Sequence, residues 1–209
     1  MSSVSEVILS MRNNLESAYS TISNKGGIIP DNKNLENLSD SINSISSGSS
    51  EKASSIIDKS VSTMTESDFG DISIIGSYVF SSCTSLTSVE MPNTIASIGS
   101  SAFLGCSNLS SVIFSDAIET IGSQAFLNCT SITSIDLGEN VTSIGSQAFN
   151  SCNSLLSFTV RAITPPSLLN SNALSYTNNC PIYVPAQSVN AYKTETNWIA
   201  YASRIQAIQ

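Results

Sequence analysis

The chain has 209 residues, a charged fraction of 11%, a net charge of −8 and no histidine. Serine fills roughly a fifth of it, far above ordinary usage, and no Lys or Arg stands between Lys59 and Arg161. A surface short of cations and dotted with Asp and Glu repels phosphate backbones and anionic lipid, so neither nucleic acid nor an anionic membrane is an expected partner. No apolar run approaches the roughly 18 residues that span a bilayer, so membrane insertion is not expected either.

The chain opens on MSSVSEVILSMRNN, which has no basic n-region and does not read as a signal peptide. Val4, Ile8, Met11, Leu15, Ala18 and Ile22 keep a four-three spacing, and Ser3 with Glu6 forms a capping-box pattern. Gly26-Gly27 and Pro30 end that helix. Leu35, Leu38, Ile42 and Ile45 mark a shorter second one, and Ser46-Ser-Gly-Ser-Ser50 reads as a flexible linker running to about residue 55. Residues 1–48 are therefore expected to form a helical module. It is either a hairpin that packs its stripe on itself or on the domain after the linker, or a short coiled coil making a homo-oligomer through residues 1–45.

From about residue 56 a repeat takes over. Ile-Gly-Ser begins at Ile75, Ile98, Ile121 and Ile144, a spacing of 23 each time. Phe80, Phe103, Phe126 and Phe149 keep step, as do Cys83, Cys106, Cys129 and Cys152. Each unit carries a short alternating run such as Leu86-Thr-Ser-Val-Glu-Met91, the signature of a strand. The remainder, such as residues 98–109, reads as a turn and short helix leading to the next strand. One unit of this size cannot bury its own apolar face, but stacked units share a continuous core. The expected fold class is an α/β repeat solenoid stacking a parallel sheet, with domain limits 56–209, core repeats 75–160 and a cap over 161–209. Glycine at 76, 99, 122 and 145 fits either close backbone approach or positive φ.

In the expected cap, Cys180-Pro-Ile-Tyr-Val-Pro185 reads as a last strand closed by prolines. Trp198, Ala202, Ile205 and Ile208 recur at helical spacing, which predicts a helix over the open end. Upstream, Val61-Ser-Thr-Met64 reads as a degenerate first strand.

The pattern I-G-x-x-A-F-x-x-C-x-x-L-x-x-[VI]-x-hydrophobic, seen at 98–114 and 121–137, resembles the BspA-like leucine-rich repeats of bacterial surface proteins. Tyr192 and Asn197-Trp198 are similar to the usual end of such proteins, whereas Tyr78-Val79 departs from the Ala before Phe of later units. The resemblance implies a cell-surface, extracellular or virion-associated protein that mediates adhesion or protein binding, and it brings no catalytic residues. Residues 18–30 also resemble N-terminal segments of phage and prophage tail-associated proteins.

Catalysis is not expected. Without histidine there is no Ser–His or Cys–His pair. No phosphate-cradling glycine motif points to a nucleotide cofactor, so no cofactor is expected. The cysteines follow the repeat period rather than zinc-ligand spacing and read as buried core thiols, so no metal is expected either.

Binding remains, through the exposed side of the strands. Alternation places Ser88, Ser111, Ser134 and Ser157 in one column, Glu90, Ile113, Asp136 and Thr159 in the next, and Pro92, Ser115, Gly138 and Arg161 in a third. The candidate interaction surface is thus Ser88, Glu90, Ser111, Ile113, Ser134, Asp136, Ser157, Thr159 and Arg161. It suits protein–protein or host-surface contact. The alternative is a structural spacer or virion or prophage tail component with no specific ligand on the solenoid.

Overall fold

The computed structural model describes residues 62–69 and 72–209, so the helical module and linker expected over residues 1–55 lie outside the described residues. Two lines of short parallel strands alternate along the chain. The first holds β1 (Thr63–Met64), β3 (Ser88–Glu90), β5 (Ser111–Ile113), β7 (Ser134–Leu137), β9 (Ser157–Val160), β11 (Ile182–Val184) and β12 (Ile205–Ala207). The second holds β2 (Ile74–Ile75), β4 (Ser97–Ile98), β6 (Thr120–Ile121), β8 (Ser143–Ile144) and β10 (Ser167–Leu168). The register follows the repeat: Ser88 faces Ser111, and Ile98 faces Ile121. A repeat solenoid is what the periodicity requires. Its second sheet, seeded by the Ile of each Ile-Gly-Ser, stays hidden in the sequence because two-residue strands leave no alternation to read.

The return segments contain no helix, contrary to the expected turn and short helix. Left-handed residues recur at Tyr78, Ser101, Gln124 and Gln147, and again at Ser82, Gly105, Asn128 and Ser151. A left-handed residue every few positions prevents a right-handed helix from propagating. These segments are instead turns whose backbone N–H groups reach the next coil, as Phe80 N–H does to the Ala102 carbonyl at 2.8 Å and Phe103 N–H to the Ala125 carbonyl at 2.7 Å. Among the described residues, α-helix is confined to α1 (Glu66–Phe69) and α2 (Val189–Thr194).

Side chains inside the coils form columns. The rings of Phe80, Phe103, Phe126 and Phe149 stack face to face with centroids 4.9, 5.0 and 5.3 Å apart. This is close to the roughly 4.8 Å between strands, so the rings advance with the sheet. Phe69 closes one end of the stack edge-on and Phe158 the other. Beside them, the thiols of Cys106, Cys129 and Cys152 donate to the carbonyls of Phe80, Phe103 and Phe126 in the preceding coils, at 3.0, 3.1 and 3.4 Å. Cysteine suits this column because it is a compact apolar side chain that still donates a hydrogen bond. All five cysteines are buried.

Serine and threonine have an equally local role. Hydroxyls of Thr87, Ser110, Thr130 and Thr142 donate to carbonyls of Ser62, Thr87, Ser107 and Glu119, each in the coil before. The glycine column follows from close approach rather than positive φ. A Cβ on Gly122 would lie 2.5 Å from the backbone nitrogen of Ser100, and one on Gly145 would lie 2.3 Å from that of Ser123.

The C-terminal cap differs from the single helix expected. After α2 comes a 3-10 segment, Trp198–Arg204, and then β12, which pairs in parallel with β11 through Ile205 and Ile182. Trp198 and Ile205 are buried as their apolar character demands, but Ile205 lies in a strand and Ile208 comes after it. The cap closes the stack with side-chain donors. Tyr192 Oη–H reaches the Ala162 carbonyl at 2.7 Å, Trp198 Nε1–H the Pro166 carbonyl at 2.7 Å, Asn197 Nδ2 the Leu168 carbonyl at 2.8 Å and Arg204 Nε the Cys180 carbonyl at 2.8 Å. Tyr201 donates to the Ser171 carbonyl and accepts from the Leu174 N–H. These groups occupy the places where another coil's backbone would bond, as buried carbonyls require.

Two consequences can be measured. Phe103→Ala or Phe126→Ala is expected to lower stability by about 3–5 kcal/mol, read as a fall in the urea midpoint; a loss below about 1 kcal/mol would show that the ring stack is not the core. The second concerns the thiols, since burial pushes Cys129 up from its ordinary value and Cys152 to about 12. In the unfolded chain these thiols ionise near 9.0. The stability they contribute is therefore present in full below that pH and is lost as pH rises toward the folded values. The melting temperature should fall from pH 9 upward, and Cys152→Ala should make that fall shallower; an unchanged slope would remove Cys152 as its source.

Candidate interaction surface

On the first line of strands, Ser111, Ile113, Ser134, Asp136 and Arg161 are exposed, and Ser88, Glu90, Ser157 and Thr159 are half-buried. Register joins Glu90 to Ile113, and Asp136 to Thr159. The third predicted column is corrected: Pro92, Ser115 and Gly138 are buried, and only Arg161 reaches solvent. The chain has already left the strand there, and Ser115 donates to the Ile95 carbonyl at 3.3 Å. Tyr183 and Gln206 extend the second column beyond Thr159. Alternation along Pro181-Ile-Tyr-Val would have shown Tyr183, but its partner lies 24 residues back rather than 23.

Arg161 and Asp136 form a two-bond ion pair, Nε to Oδ1 at 2.9 Å and Nη2 to Oδ2 at 2.6 Å. Both side chains are about half exposed, 48% and 54%, so the pair fixes orientation more than it adds stability. The hydrogen bond with Asp136 raises the Arg161 guanidinium above its ordinary value, and the fields of Asp116 and Glu139 add to this. Asp136 alone pairs with the cation, and the two further carboxylates act on it through space.

The strand line is not continuous. β1, β3 and β5 form one sheet, and β7, β9, β11 and β12 another, with β5 lying beside β7 without a ladder between them. The second strand line runs unbroken from β2 to β10. At this parting the inward residues of β5 lose cover. Val112 and Phe114 are half-buried, whereas Val89, Met91, Ile135 and Leu137, at the equivalent positions, are buried. Ile113, between them and facing outward, is 55% exposed.

One bulky side chain lies at the parting, that of Phe114. It stands where neighbouring coils carry Met91, Leu137 and Val160, and its ring meets Phe126 edge-on at 5.5 Å. A larger side chain in a packed column can shift the backbone, which makes Phe114 the residue to test.

Among the described residues no helix is long and apolar enough to cross a membrane. Phe114→Leu is expected to let β5 and β7 pair, slowing amide hydrogen exchange at Thr133 and Ser134 at least tenfold. Exchange that does not change would show that Phe114 is not what holds the strands apart.

Residues 49–180 match the family model described as the BspA type leucine rich repeat region, in six copies. Similar crystal structures include a leucine-rich repeat protein of T. pallidum, with 26% identity and a TM-score of 0.50, covering 56% of this chain and 53% of that one. Another is a leucine-rich cell surface protein of Faecalibacterium prausnitzii A2-165, with 28% identity and a TM-score of 0.52, covering 63% of this chain and 32% of that one. A leucine-rich repeat protein of Bacteroides ovatus, 24% identical with a TM-score of 0.50 over 71% of this chain and 43% of that one, shares the fold. The chain thus spans about half the length of the first of these relatives, and less of the other two. No match was found among curated proteins. On the span and number of its repeats, the chain belongs to the BspA-type leucine-rich repeat family.

Proposed function

We propose that the chain is a non-catalytic binding module that engages a protein or cell-surface partner through the outward face of its first strand line. The observation that carries this reading is the exposed Ile113, standing between Glu90 and Asp136 on a face otherwise built of hydroxyl and charged groups. An apolar side chain among polar neighbours is a natural anchor for a partner, and the rigid solenoid means little ordering is needed on binding. The placement at a cell surface rests on the family and on the surface protein to which the chain is similar.

The test begins with an array of glycans and cell-surface proteins probed with the full chain. The combined substitution Glu90→Ser, Ile113→Ser, Asp136→Ser is then measured against whatever target binds, after circular dichroism confirms an unchanged fold. Binding should fall about tenfold or more, the scale of losing a central anchor. Undiminished binding would move the site off this face.

A further inference from the structure

We propose that the parting between β5 and β7 is a docking groove for a cationic polypeptide segment that carries an apolar side chain. This rests on the binding reading above and names the chemistry of the partner.

The apolar half of the argument is steric. Val112 and Phe114 point toward the core yet remain half-buried, while their counterparts on either side are sealed. β5 is laddered to β3 on one side and unladdered toward β7 on the other. Ile113 stands on the rim. An aliphatic side chain entering there would remove Val112, Ile113 and Phe114 from water together, which three scattered exposed residues could not offer.

The polar half is electrostatic. Asp116 and Glu139 both act on Arg161, whose charge is already held by Asp136, so the local balance stays negative. Glu90 adds a carboxylate beside Ile113 on the opposite side of the parting. No Lys or Arg lies in residues 62–160 to offset these. Such a field attracts Lys and Arg, and it repels nucleic acid and anionic lipid headgroups. A polypeptide can present an apolar side chain and flanking cations at strand-like spacing along one line.

The experiment titrates the full-length protein into short fluorescein-labelled synthetic peptides and reads anisotropy. One peptide is built of Lys and Ser around a central Leu, a second replaces that Leu by Ser, and a third replaces every Lys by Glu. The first should bind, and its affinity should fall as salt rises. The second should bind about tenfold more weakly, and the third should not bind. Ile113→Ser should weaken the first peptide by a similar factor, and Asp116→Asn with Glu139→Gln should flatten its salt dependence. Phe114→Leu, which removes the half-buried ring, should also weaken it.

Equal binding of the Glu peptide, no loss on removing the Leu, or unchanged affinity in these variants would overturn the groove. A partner from the array that is lost on substituting the strand face, yet binds independently of salt and of Asp116 and Glu139, would also overturn it while leaving the binding reading intact.

Discussion

Each coil of this molecule is completed by its neighbour. Backbone N–H groups of one turn find their carbonyls in the next, thiols donate backward to phenylalanine carbonyls, and hydroxyls do the same along the outside. Buried polar groups left without partners would each cost about 1–3 kcal/mol, so the fold depends on keeping every coil in step with the last. That requirement explains the composition. A column needing a small apolar donor takes cysteine, one needing close backbone approach takes glycine, and the outer positions take serine and threonine.

The same constraint dictates the end of the array. A last coil presents carbonyls with no further coil to meet them. Tyr192, Asn197, Trp198, Tyr201 and Arg204 supply donors of varied length to carbonyls at irregular intervals. Backbone at fixed spacing could not replace them without a further repeat. The edge-on ring of Phe158 does for the aromatic stack what these donors do for the backbone, covering the face of Phe149 with something that does not itself need stacking.

The solenoid is legible in the sequence because repetition is a signal that survives without neighbours. Ile98, Phe103, Cys106 and Leu109 lie in columns that recur from unit to unit, and their burial accords with it. The features that stay hidden depend on backbone geometry. The left-handed residues that replace the expected short helix include Gln124, Asn128 and Ser151, not just glycine, so composition does not mark them. The strand β12 has the pattern of a helix because Trp198, Ala202, Ile205 and Ile208 do share a helical period, while the chain changes from a 3-10 segment to a strand between Arg204 and Ile205. Of the candidate surface, the outward columns are readable from alternation. The parting is not, since it is a matter of backbone pairing between β5 and β7 that alternation does not mark.

Strict repetition also limits what a solenoid can recognise. A face that repeats the same hydroxyl column offers every partner the same contacts at every coil. Discrimination therefore has to come from positions where the repeat is broken. Three such breaks coincide near β5 and β7: Phe114 puts a ring where neighbouring coils carry Met91, Leu137 and Val160, Ile113 puts an aliphatic side chain on a polar face, and Asp136 meets the first cation after Lys59. Any one of them alone would be ordinary variation. Together they give one stretch of a repetitive surface a ladder break, an exposed apolar side chain and a charge, while the unbroken second sheet keeps the coils in register. The continuous sheet is what allows the discontinuous one, because the backbone groups given up at the parting are few against those retained along β2 to β10.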